Sequence, residues 1–98
     1  MSLRIVAVGM LDARRSGRDT FFVQIDDEHA MLYEARTDGT VDLLSSAPEP
    51  LAMVSASVEK FNSAYRVVEP VPIDDPGALP GYLGRFQIVD ATRCRLRD

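Results

Sequence analysis

The chain has one cysteine, one histidine and no tryptophan in its 98 residues. A lone cysteine, Cys94, excludes an intramolecular disulfide framework. His29 and Cys94 lie far apart in sequence and lack the paired ligands of a zinc pattern. No apolar run approaches the roughly 20 residues that a membrane-crossing helix needs. The opening MSLRIVAVGMLD has neither a long apolar stretch nor an A-x-A site, so no signal peptide is read there. Together with the single thiol, this sets the expectation of a reducing, cytoplasmic location.

What is present is ordinary for a folded chain: 46% apolar and 27% charged residues, enough for a single domain spanning 1–98. The formal charge is −4. That balance disfavours a nonspecific grip on nucleic acid, which needs many phosphate-neutralising cations, and suits a cationic partner better.

LRIVAVGML (3–11) reads as a strand buried on both faces, with Gly9 as a bulge or point of close approach. DARRSGRD (12–19) reads as a loop. TFFVQI, AMLYEAR and VDLL, separated by DDEH and TDGT, read as a three-stranded antiparallel meander over 20–44. Asp38-Gly39 predicts a two-residue hairpin with Gly39 at positive φ. SAPEP then interrupts, and LAMV (51–54) reads as a short fourth strand. In VSASVEKFNSAY (54–65), Ser55 or Ser57 is placed to cap a helix, and Val58, Phe61 and Tyr65 share one stripe facing the sheet. The proline-rich 66–84 reads as an extended connection, and because it is long for a segment without regular structure, a turn of helix is expected in it near Ala78. RFQIVD (85–90) reads as a strand. Cys94 and Leu96 alternate with Arg93, Arg95 and Arg97, which fits an edge strand, with a C-terminal helix as the alternative. The expected fold is α+β: an antiparallel sheet of four to six strands with one principal helix on one face. The expected core is Ile5, Val6, Val8, Phe21, Val23, Met31, Tyr33, Leu43, Met53, Val58, Phe61 and Tyr65.

Chemistry is sparse. Asp26-Asp27-Glu28 lacks the alternating oxygen spacing of a calcium loop and reads as a solvated turn. His29 is a general-base candidate, with Asp26, Asp27 or Asp42 to orient it, but no serine sits in a nucleophile elbow. Cys94 lies in an apolar alternation that suits a buried, inert thiol. GALPGYLG (77–84) lacks the strand–loop–helix frame of a phosphate loop. RRSGR (14–18) and the C-terminal arginines have no interleaved aromatics, so they read as solvated charge. No catalytic residue, metal site or cofactor is assigned.

In its order of elements the chain resembles the SUKH superfamily. The matching pieces are FFVQID (21–26), AMLYEARTDGTVDLL (30–44) and VSASVEKF (54–61), about half the chain. The resemblance rests on a Ser-capped helix pattern that Ser57, Val58 and Phe61 fit. Departures are the missing initial helical segment and the absence of tryptophan. Bacterial members are largely immunity proteins that neutralise toxins. The resemblance therefore implies a non-enzymatic protein-binding domain that covers a toxin's active site, with a cationic toxin domain as partner. The side chains expected to make that contact are Asp26, Asp27, Glu28, Glu34, Asp38 and Asp42. A homodimeric assembly module is the first alternative, and a small hydrolase or ligand-binding domain using His29 the second.

Overall fold

The computed structural model describes residues 3–11, 17–56 and 61–97. Strand β1 (Leu3–Leu11) is followed by β2 (Thr20–Gln24), β3 (His29–Ala35), β4 (Val41–Leu43) and β5 (Glu49–Pro50). Helix α1 (Leu51–Ala56) precedes the long β6 (Phe61–Ile73). A 3-10 turn (Pro76–Ala78), helix α2 (Pro80–Leu83), β7 (Phe86–Asp90) and β8 (Arg93–Leu96) complete the chain. The eight strands form one sheet in the order β4-β3-β2-β1-β6-β8-β7, with β5 also on β3. All pairings are antiparallel except β6 with β8, so the sheet is mixed.

The meander forms as its sequence predicts. Val23 pairs with Met31, Phe21 with Tyr33, and Tyr33 with Leu43. Its second turn differs in one respect. Arg36 N–H donates to Thr40 O at 2.8 Å and Gly39 N–H to Arg36 O at 3.2 Å, so the loop is the three residues Thr37-Asp38-Gly39. Gly39 still takes φ 89°, closing the turn where an L side chain is strained.

Beyond the meander the structure corrects several expectations. Among the described residues the sheet has eight strands rather than four to six, and there are two short helices where one principal helix was expected. LAMV is helical, and Phe61–Tyr65 is strand, so the helix lies earlier than its serine signal suggests. Ser57, Val58, Glu59 and Lys60 lie outside the described residues, as do Arg14 and Arg15. Val54, 2% exposed, packs with Leu51 onto Phe22, Ala30 and Leu32, while Met53, expected in the core, is 66% exposed. A period of three in Leu51 and Val54 aims those two at the sheet and turns Met53 outward. The first part of the proline-rich segment, 66–73, is strand β6, and the rest holds the 3-10 turn at Ala78, as anticipated, and helix α2. β8 lies between β6 and β7, not at the edge.

β1 is central, between β2 and β6, yet most of its side chains are only half-buried. Both faces of the sheet carry core. One face holds Ile5, Val23, Ile25, Met31, Tyr33, Val67, Ile73, Leu79 and Cys94. Leu83 and Phe86 join this cluster together with Val41 and Leu43 from the opposite edge, so the sheet curls around it. The other face holds the smaller cluster under α1. Coverage of both faces explains why Ala30 to Tyr33 are all buried, where a one-sided sheet would alternate.

β6 is bent by two irregularities against β1. Ile5 pairs with Val71 and Ala7 with Arg66, so residues 67–70 leave the β1 ladder. Pro70 has no N–H to donate, and a break is the sheet's way to accommodate it. The second irregularity falls between Val8 and Met10, at Gly9.

Candidate functional site

The six carboxylates singled out by sequence do not form one patch. Asp26, Asp27 and Glu28 lie at one end of β3, and Asp38 in the turn beyond its other end. Seven strand residues separate the ends, about 23 Å at the usual rise.

Most of the six are engaged within the fold. Asp26 Oδ1 accepts from the N–H groups of Glu28 and His29, each at 2.7 Å. His29 Nδ1 lies 3.0 Å from both Asp26 oxygens. Partial burial works to raise the Asp26 pKa, but the bonds from Glu28 and His29 outweigh it and hold the carboxyl below its ordinary value. Asp38 Oδ1 accepts from Thr40 N–H at 3.0 Å and from the Thr40 hydroxyl, and these bonds lower its pKa. Glu34 and Asp42 stand directly opposite one another across β3 and β4. Each faces its own arginine: Arg18 at 3.7 Å from Glu34, and Arg36 at 3.1 Å from Asp42. Of the six, only Asp27 and Glu28 are exposed with no such partner among the described residues. They flank a shallow hollow shared with His29, Pro50 and Leu51, where Leu51 N–H donates to Glu28 O at 2.7 Å.

The reactive candidates are held apart from each other. The His29 ring is oriented by Asp26, not by Asp42, which lies near the far end of β3. Cys94 is fully buried, its Sγ 3.9 Å from Tyr65 O, and burial pushes its pKa up, so the thiol stays neutral. Among the described residues no group of three His, Cys, Asp or Glu side chains is placed to hold a metal ion. Nor is any described helix long and apolar enough to cross a membrane.

Three surfaces escaped the sequence reading. A cavity of about 450 Å³ opens against β1 and α2, with Val8, Met10, Phe21, Val41, Tyr65 and Leu83 in its wall. The edge strand β7 presents Ile88 and Val89, 59% and 45% exposed. A groove of about 710 Å³ runs between residues 69–72 of β6 and the end of β8, with Arg85, Arg95 and Arg97 at its rim. The arginine alternation was visible in the sequence; the groove was not, because it depends on where β6 parts from β8. Arg93, on the same strand, is occupied: its Nε donates to Asp90 Oδ2 at 2.6 Å. That bond from Arg93, with the Thr92 N–H, holds the Asp90 pKa down at about 2.

Comparison of the chain with protein-family models, with curated proteins and with solved structures finds no match.

Proposed function

We propose that the chain is a non-enzymatic protein-binding domain whose main contact surface is the free edge of the sheet at β7. One observation carries this reading: Ile88 and Val89 stand side by side on the terminal strand, 59% and 45% exposed. Sheet edges are usually blunted by charge or proline. β7 is Phe-Gln-Ile-Val-Asp, and its one charge, Asp90, is taken by Arg93. Burying an aliphatic side chain fully is worth about 1.5–3 kcal/mol, and an added strand would also satisfy the open backbone groups of β7. A bulge between Ile88 and Asp90 limits pairing to the first part of the strand.

In the immunity-type form of this reading, suggested by the SUKH resemblance, the partner is a cationic toxin domain. Asp27 and Glu28 then act by steering encounter, since of the six carboxylates they are the two that are exposed and not engaged within the fold. The same edge also favours a second reading, a homodimer in which two copies of β7 pair about a twofold axis.

The test is recovery of a partner from the native host, followed by binding kinetics. Ile88→Lys should weaken the complex at least tenfold through faster dissociation, and Asp27→Lys with Glu28→Lys should slow association most at low salt. A partner that binds Ile88→Lys as tightly as the unaltered chain sinks the edge reading. A concentration-dependent dimer abolished by Ile88→Lys, with no heterologous partner, establishes the assembly reading in its place.

A further inference from the structure

We propose that the groove between the β6 bulge and the end of β8 binds carboxylates of an extended acidic segment of a partner protein. This inference stands apart from the β7 edge, because it rests on the β6–β8 junction.

The groove exists because the parallel ladder between β6 and β8 is only two pairs long, Arg66 with Arg93 and Val67 with Cys94. Pro70 and Pro72 follow on β6 and cannot donate, so the ladder is not continued and the strands part. Three guanidinium groups, those of Arg85, Arg95 and Arg97, border the opening, against one carboxylate, Glu69. The local charge is therefore positive on a chain whose formal charge is −4. Arg18, Arg36 and Arg93 each have an acidic partner. Arg85, Arg95 and Arg97 have none among the described residues.

Two of the three are held in place by neutral groups. Arg85 Nη2 donates to Arg97 O at 3.1 Å, and its guanidinium lies 5.9 Å from the centre of the Tyr82 ring. With the Gln87 amide oriented to satisfy its neighbours, its oxygen accepts from Arg95 Nε at 2.6 Å and Nη2 at 2.9 Å. Holding a guanidinium through neutral acceptors fixes its position and leaves its charge uncompensated, which lowers the ordering cost of binding an anion.

Spacing selects the occupant. Arg95 lies on β8 and Arg97 one residue past its end, where Arg97 N–H still bonds to Arg85 O at 2.7 Å, so the two are two residues apart along a continued ladder, about 7 Å at the usual rise. An extended segment presents its own alternate side chains at the same interval, so acidic residues at i and i+2 match the pair.

The experiment is a titration of the whole chain, isotope-labelled and followed by amide chemical shifts, with hexaglutamate, hexaglutamine and inorganic phosphate at matched ionic strength. Hexaglutamate should saturably shift the amides of Glu69, Val71, Arg95, Leu96 and Arg97, more weakly as salt rises. Arg95→Gln with Arg97→Gln should lower its affinity at least tenfold. Arg93→Gln, outside the groove, and Ile88→Ser, which disables the β7 edge, should each leave it within about twofold. Unmoved groove amides, equal binding of hexaglutamine, or full affinity in the double variant would overturn the proposal. Phosphate saturating the same amides more tightly than hexaglutamate would overturn the peptide assignment.

Discussion

The ring of Phe22 occupies the space that a side chain at position 9 would need. A Cβ on Gly9 would lie 2.6 Å from Phe22 Cε1 and 2.9 Å from the Ala64 Cα. One neighbour is a nearly fully buried ring and the other is backbone, so neither yields easily. Gly9→Ala should therefore destabilise by about 1–3 kcal/mol, as overpacking does. Urea denaturation measures it. Combining Gly9→Ala with Phe22→Leu should recover part of the loss expected from the two changes added; strict additivity would mean the two positions do not compete for space.

Ser45 bridges the break between β4 and β5. Its Oγ accepts from Leu32 N–H at 3.0 Å and donates to Glu49 Oε2. β4 and β5 both pair with β3, and this hydroxyl meets the β3 backbone between them. Ser45 is 4% exposed, so water does not readily replace it. Ser45→Ala should cost about 1–3 kcal/mol, the penalty for a buried donor left without its partner. A melting temperature equal to that of the unaltered chain would show that another acceptor takes over.

Val54 and Met53 are neighbours with opposite fates. Val54→Ala should cost about 2 kcal/mol by opening space against Phe22 and Leu32, while Met53→Lys should change stability by less than about 0.5 kcal/mol. The reverse order in chemical denaturation would return residues 51–54 to the strand that the sequence suggested.

Asp26 makes stability depend on acid. Its folded pKa lies below the ordinary carboxylate value. The contribution is thus complete above the unfolded pKa, near 4, and is lost as pH falls through the lower folded value. Asp26→Asn should be less stable by about 1 kcal/mol at pH 6, and the gap should close below the carboxylate range. Melting curves of the two proteins from pH 6 to pH 2 test this; a gap that stays constant would mean that charge on Asp26 is not what the turn uses.

The β2–β3–β4 meander was legible because its signals are local. Alternating apolar residues, Asp38-Gly39 and the polar 26–29 turn each act within a few residues, and they agree. The alternation of Cys94 with its flanking arginines was legible for the same reason.

Residues 51–65 were not legible, because short apolar runs carry no decisive period. LAMV satisfies a strand or one helical turn equally well, and the stripe in SVEKFNSAY fits a helix that does not extend through Phe61–Tyr65. What decides is pairing across some fifty residues of chain. β1 offers a long ladder to 61–73, and the outer face of β2 and β3 offers Val54 a seat.

Function divides along the same line. Composition alone determined the charge balance, the lone thiol and the absence of a long apolar run. Whether a given charge is free is a matter of register: Glu34 and Asp42 face Arg18 and Arg36 only because β3 pairs as it does. Arg85 and Arg97, twelve residues apart, meet only because β7 and β8 form a hairpin that brings Arg97 N–H within 2.7 Å of Arg85 O. Side-chain chemistry belongs to the residue and is read from sequence. Solvent exposure and the neighbours of each charge belong to contacts between distant segments, and those were decided by the tertiary fold.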